Sequence, residues 1–346
     1  MKIILDCMGS DLGVSATVGG AVEAVRTHGV EVMLVGDSAA IREVLTKENF
    51  PRDGLTILDA QDVITMEDDP VYAVRNKKSA SMIVALQALA DGEGDAIVSA
   101  GNTGALLTAA TLILKRFPGT RRGALCAVLP SGDSRAILID CGANVECTSE
   151  MLVQFAHMGS AFVAGVMGVE SPRVGLINNG TEYKKGTPLQ VETYQLLKAA
   201  GEAGQLNFIG NVEGREVPGG GADVFVADGF TGNVVLKTYE GAGLLFARLF
   251  KELLMSNTRT KLAALSIKRE LGEMKKRMDY KEIGGAPILG VRKPVIKAHG
   301  SSDAHAFASA IGQAKKFFES GAIHNMETAL GALNSGKPAE KEVQCK

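Results

Sequence analysis

Short apolar, β-branched runs alternate along this chain with longer amphipathic stretches, and small polar turns stand where one gives way to the other. Ile3 to Asp6 predicts a first strand, followed by a helix ending near His28. Val30 to Gly36, Leu55 to Leu58, Asp95 to Ser99, Val174 to Asn178 and Leu206 to Gly210 predict further strands. Gly221 to Asp228 is another, and a helix follows it far past residue 240. Runs of four to eight apolar residues bounded by turn residues are the pattern of buried parallel strands. Ala124 to Leu129 and Ala136 to Asp140 flank Pro130-Ser-Gly-Asp133 and predict an antiparallel hairpin. Arg75-Asn-Lys-Lys-Ser79 is expected to open a helix reaching about Asp91, and a long helix is expected from about Ser149. Strands alternating with helices imply a doubly wound, mostly parallel α/β sheet of Rossmann-like type.

The turns after the strands carry the candidate chemistry. Asp228-Gly-Phe-Thr-Gly-Asn233 lies between a strand and a helix, where free backbone N–H groups and the helix dipole favour anions. The same residues also make an ordinary strand-to-helix connection, with Gly for a tight backbone and Thr or Asn as cap. Ser99-Ala-Gly-Asn-Thr-Gly-Ala105, Asp140-Cys-Gly-Ala-Asn144 and His299-Gly-Ser-Ser302 repeat the arrangement. Asn179 to Gly186 is a loop with two lysines, Lys184 and Lys185. One such turn means little, but several together predict a single anion-handling cleft at the strand ends.

Residues 241–280 break the pattern. Leu244 to Met255 is a strongly apolar helix, interrupted at Ser256-Asn-Thr258, and a second helix carries Leu262, Leu265, Ile267, Leu271, Met274 and Met278. Between 244 and 280 there are nine Lys/Arg and four Asp/Glu, a local +5, which leaves −7 for the rest of a chain of net charge −2. An apolar stripe with basic flanks suits an interfacial membrane helix or a helical hairpin packed on a second subunit. Packing on a second copy is expected over most of the hairpin. The tip at 253–265, with Leu253, Leu254, Leu262 and Leu265, is the expected membrane contact.

Composition narrows the function. A chain of 346 residues, 46% hydrophobic and 22% charged, can bury a large core. It divides as one α/β domain over 1–325, hairpin included, and a polar tail over 326–346. Near-neutral charge and zero Trp argue against nucleic acid. Five Cys occur without C-x-x-C spacing, and Cys7, Cys126 and Cys141, which lie in apolar runs, read as small core residues of a reduced, cytosolic protein. Lys2-Ile-Ile-Leu-Asp6 meets an acid after three apolar residues, and no run of eighteen apolar residues occurs, so neither a leader nor a membrane span is expected. The P-loop, the dinucleotide fingerprint, the zinc spacings and the nucleophile elbow are all missing, so no cofactor or metal is expected.

Taken in order, these motifs resemble the PlsX family, the acyl-carrier-protein:phosphate acyltransferases of bacterial phospholipid synthesis. The resemblance rests on Asp6-x-Met-Gly-x-Asp11, the 99–105 and 140–144 turns, Lys185-Gly186 and Gly210-Asn-Val-Glu-Gly-Arg215. It continues through Asp228 to Lys237, Gly284-Gly-Ala-Pro-Ile-Leu-Gly290 and His299 to Ser302. Ser10, Thr181 and Tyr183 depart from the family pattern. The resemblance implies a fold of the phosphotransacetylase and isocitrate dehydrogenase type and a homodimer. It implies that long-chain acyl-ACP and inorganic phosphate become acyl phosphate and free acyl carrier protein, feeding glycerol-3-phosphate acylation by a membrane acyltransferase. A cytoplasmic protein touching the inner face of the membrane peripherally is the expected setting.

Phosphate is then the nucleophile, so the protein must hold an anion beside a thioester carbonyl and stabilise the oxyanion. Lys185 and Asn233 are the expected catalytic pair. Gly101, Asn102, Thr103, Gly104, Asn144, Thr231, Gly232, Lys237, His299, Ser301 and Ser302 are expected to bind phosphate or the acyl substrate. Basic groups at Arg75 to Lys78 and on the hairpin suit the acidic carrier protein. Three rivals stand beside this reading: a phosphotransacetylase acting on acyl-CoA, a dehydrogenase of the related fold, and a non-catalytic membrane scaffold.

Overall fold

A computed structural model describes residues 1–278 and 284–335. The first half runs β1 (Lys2–Asp6), α1 (Gly13–His28), β2 (Glu31–Gly36), α2 (Ser38–Lys47), β3 (Leu55–Asp59), α3 (Pro70–Asn76), α4 (Ser81–Ala90), β4 (Ala96–Ser99) and α5 (Thr103–Ile113). The expected antiparallel hairpin follows as β5 (Ala124–Ser131) and β6 (Ser134–Ile139), in register from Cys126 opposite Ile139 to Ser131 opposite Ser134. Then come α6 (Ser149–Phe162), β7 (Arg173–Asn178), α7 (Pro188–Glu202), β8 (Asn207–Glu213) and β9 (Val224–Val226). The chain closes with α8 (Gly229–Leu254), α9 (Thr258–Ser266), α10 (Lys268–Met278), β10 (Ala286–Leu289), β11 (Val295–Lys297), α11 (Ala304–Glu319) and α12 (Ala322–Ser335).

Among the described residues the strands form one eleven-stranded sheet, ordered β3-β2-β1-β4-β11-β10-β5-β6-β9-β7-β8. The outer five, β3 to β11, run parallel. β10 is antiparallel to both neighbours and β5 is antiparallel to β6. β6, β9, β7 and β8 form a second parallel set. These reversals make the second set run opposite to the first. Strands buried on both faces must be apolar throughout, and Ile3, Ile4, Leu5, Ile97 and Val98 are fully buried. One face is covered by α1, α6, α11 and α12, where Phe162 and Phe317 meet edge to face with ring centroids 5.2 Å apart. The other is covered by α3, α4 and α5.

Three expectations need correction. Arg75 does not open a helix: it closes α3, which starts at Pro70 with Asp69 accepting from Tyr72 N as its cap. A cation in a last turn favours the helix dipole instead of opposing it. Lys77 is also committed, pairing with Asp68 at 2.7 Å and holding that carboxyl below its usual range. The polar tail does not begin at 326, because α12 continues to Ser335 with Met326 and Leu330 fully buried. Their four-residue spacing puts both on the face that packs against α6. The second hairpin helix is two, α9 and α10, divided at Ile267. The expectations for the side chains of Met274 and Met278, for 279–280 and for the chain beyond 335 lie outside the described residues.

α8 starts packed on the sheet and leaves it. Only its first-turn glycines, Gly229 and Gly232, are buried. Leu244, Phe246, Leu249 and Leu253 are exposed, as are Leu262 and Leu265 on α9, whereas Leu254 is half-buried. No helix among the described residues is long and apolar enough to cross a membrane.

Candidate active site

The predicted site residues form two groups, not one. The turns 101–104 and 299–302 meet beyond β1, β4 and β11. The turns 142–144 and 229–233 meet beyond β6 and β9, whose carboxyl ends face the other way. The contacts that tie the turns together among the described residues run within each group, and the strand direction that separates the groups is not encoded in the motifs.

In the first group Asp6 is the anchor. It ends β1 almost wholly buried and accepts from Ser81 Oγ and Ser99 Oγ, each at 2.7 Å, and from Met8 N at 3.2 Å. Burial raises its pKa, and those three donors with the charge of Lys297 work against the rise. Gly9 lies against Gly101, so the β1 and β4 turns touch through backbone. Asp11 N and Ser10 Oγ both donate to Gly300 O, which ties the β1 turn to the 299–302 turn. The N-termini of α1, α5 and α11 thus gather in one place, presenting N–H groups that helices leave unpaired.

Several assigned residues turn out to be builders of this place. Asn102 caps α5 by accepting from Ala105 N at 3.0 Å, and its amide donates to the carbonyls of Thr65, Met66 and Asp68. Gly104 lets α5 approach α3, since a Cβ there would stand 2.8 Å from Pro70 Cγ. Gly101 N bonds to Ser99 Oγ, and Thr103 is half-buried as the first residue of α5. His299 is exposed, and its Nδ1 lies 2.8 Å from Ser301 Oγ and accepts from Ser301 N. In the neutral ring this puts the proton on Nε2. Ser302 is buried and donates its N–H to His299 O.

In the second group Asp140 plays the part of Asp6. It is fully buried at the end of β6 and accepts from Leu125 N, Ala143 N, Asn144 N and Asn144 Nδ2. Burial raises its pKa against these donors. Asn144 Nδ2 also reaches Gly123 O at 2.9 Å. The α8 turn is laid directly on this loop. A Cβ at Gly232 would stand 1.9 Å from Asp140 O, and one at Gly229 2.4 Å from Asn144 O. Close backbone approach explains both glycines. Asp228 caps α8 by accepting from Thr231 N and Thr231 Oγ. Asn233 donates from Nδ2 to Cys141 O at 3.2 Å. Lys237 is ion-paired with Glu240 at 2.8 Å.

Lys185 stands in an exposed loop after β7. Its backbone is fixed, N donating to Glu182 O and O accepting from Asn178 Nδ2, and its stem covers Gly180. Its ammonium has no partner among the described residues. Lys184 instead sits 5.3 Å from the Tyr183 ring centroid.

Lys297 escaped the sequence reading. It ends β11 with 9% of its surface exposed, and Nζ donates to Ala100 O at 3.0 Å and to Ala298 O at 2.5 Å. The available signal was a single Lys inside the apolar run Val295-Ile-Lys-Ala298, directly before a Gly turn.

An open α/β sheet with helix N-termini gathered at its strand ends is a frame suited to holding an anionic group. The chain belongs to the family described as Fatty acid synthesis protein, whose profile matches residues 1–325. It is similar to the phosphate acyltransferase of Alkaliphilus oremlandii (strain OhILAs), 44% identical over 333 residues, covering 96% of this chain and 98% of that one. It is equally similar to the phosphate acyltransferase of Clostridium novyi (strain NT), 44% identical over 331 residues, 95% and 98% of the two chains. The protein is accordingly an acyltransferase. Among solved structures it resembles the EutD phosphotransacetylase from Staphylococcus aureus, with TM-score 0.60 and 18% identity over 92% of this chain and 93% of that one. A phosphotransacetylase from Streptococcus pyogenes aligns with TM-score 0.57 and 20% identity, over 96% and 94%. These two likenesses concern the fold.

Proposed function

We propose that the protein transfers a long-chain acyl group from acyl carrier protein to inorganic phosphate, giving acyl phosphate and free carrier thiol. The observation that carries this reading is the gathering of three helix N-termini beyond β1, β4 and β11 in a chain whose relatives are phosphate acyltransferases. Phosphate settles on the backbone N–H groups of Asn102, Thr103, Gly104 and Gly300, beside Ser301 and Ser302. The thioester carbonyl then has to sit between the two groups, so that Lys185, with its uncommitted ammonium, and Asn233 reach its oxyanion from the second group while phosphate attacks from the first. The leaving thiol has an ordinary pKa near ~8.5 and departs without a strong general acid. The test is to incubate acyl-ACP with and without phosphate and to follow free thiol and acyl phosphate together.

The carrier protein docks through Arg75 and Lys78, which remain exposed once Lys77 is committed to Asp68. The bared apolar faces of α8 and α9 serve a second copy of the chain along their length and a lipid surface at the tip, bringing product to a membrane glycerol-3-phosphate acyltransferase. Burying such side chains yields roughly 25 cal/mol per Å². Changing Leu253 and Leu262 together to Glu should abolish co-sedimentation with anionic vesicles and leave activity on soluble acyl-ACP within about threefold, less than ~1 kcal/mol. Dissociation of a dimer with vesicle binding intact would assign these residues to the subunit interface instead.

A further inference from the structure

Two turns must keep their N–H groups aimed at one point for the anion site to work, and both leave adjacent strands, β4 and β11. Lys297 lies beneath that junction. Its Nζ donates to Ala100 O, the first carbonyl of one turn, and to Ala298 O, the first carbonyl of the other. A backbone bond from Ala298 N to Ser99 O joins the same two strand ends. The charged groups around Lys297 are carboxylates. Asp6 faces it from β1 and Asp11 from the turn before α1, both favouring its ammonium. Ser99 on β4 and Ser81 on α4 bond to Asp6, and His299 and Asp303 follow on the turn into α11. Without a cation, two carboxylates would lie under a place meant to receive a third negative group.

We propose that Lys297 is a positioning residue of the anion site: it clamps the 100–105 and 298–303 turns together and supplies the counter-charge to Asp6 and Asp11 that lets an anion settle there. This rests on the phosphate-transfer reading above. A Met keeps the length of the stem while removing both hydrogen bonds and the charge. Burial also lowers the pKa of Lys297 to about 8, with Asp11 and Asp6 opposing the fall. An ordinary lysine titrates near ~10.4. A bound anion stabilises the protonated form, so phosphate affinity is flat while the free enzyme is protonated and falls as pH rises through about 8.

The experiment measures KM for inorganic phosphate and for acyl-ACP from about pH 7.5 to about pH 9.5, in the wild type and in Lys297→Met, with a thermal melt of each. In the wild type the phosphate KM should rise with pH above the inflection, by up to tenfold per unit (~1.4 kcal/mol), and the acyl-ACP KM should stay level. Lys297→Met should start with a phosphate KM raised roughly tenfold and show no such slope. A flat wild-type phosphate KM, or the same slope in the variant, overturns the proposal. If the variant does not fold, the wild-type profile alone decides. Absence of phosphate-dependent thiol release in the wild type would instead overturn the underlying reaction.

Discussion

Replacing Lys185 with Ala should lower kcat by roughly 10²–10³ with the fold intact, the usual cost of losing one oxyanion donor. The ammonium stands on a loop whose backbone is held by Asn178 and Glu182, so the side chain is aimed while its charge stays unspent. Gly186, at φ +95°, lets the chain turn sharply behind it. Its neighbour is the control. Lys184 lies by the Tyr183 ring, and Lys184→Ala should cost less than about threefold, under ~1 kcal/mol. Asn233→Ala should fall between them, because its amide also holds Cys141 O and its loss disturbs the turn itself. Circular dichroism together with single-turnover kinetics separates chemistry from misfolding. A Lys185→Ala enzyme within about threefold of wild type would remove Lys185 from the chemistry and direct attention to His299 or Lys237.

Gly232→Ala should destabilise the protein by about 3 kcal/mol or more, beyond the common range for overpacking. The clash is with a main-chain oxygen, Asp140 O at 1.9 Å, so no side-chain rotation relieves it. The loop that would have to move carries the four donors to buried Asp140. Weakening them leaves a buried carboxylate under-satisfied, which adds to the cost. A drop in Tm of roughly 5 °C or more is expected for a chain of this size. Gly241 lies in the same helix with open space around its Cβ position. Gly241→Ala should therefore be neutral or stabilising, by up to ~1 kcal/mol, through helix propensity. Equal melting of Gly232→Ala and the wild type would contradict the close-approach account of this turn.

Much of the architecture was legible because strand and helix leave different spacings of apolar residues. The hairpin of β5 and β6 could be read from two apolar runs around Pro130-Ser-Gly-Asp133, and the Gly-rich turns marked real strand ends. Strand direction was not legible. The turns at 99–105 and at 140–144 look alike locally, yet β10 and β5 intervene as antiparallel strands and send them to different groups. Pairing across the sheet leaves no periodicity within either segment. The misplaced helix start at Arg75 had a better signal nearby, since Asp69-Pro70 is a cap followed by proline at the first helical position. Asn102, Asn144 and Thr231 were read as ligand donors from their residue type, whereas they spend those groups on caps and turns. Lys297 was hidden for the opposite reason. A charge in an apolar strand scores as an interruption, and only its two carbonyl partners reveal its place.

The most direct measurement is a paired assay on purified acyl-ACP, with phosphate present or omitted, scoring released carrier thiol and acyl phosphate in the same samples and repeating both with acyl-CoA. Phosphate transfer from the carrier predicts thiol and acyl phosphate in equal amounts, only when phosphate is added, with acyl-ACP far ahead of acyl-CoA. Thiol release that ignores phosphate, or turnover of acyl-CoA with none of acyl-ACP, would contradict it.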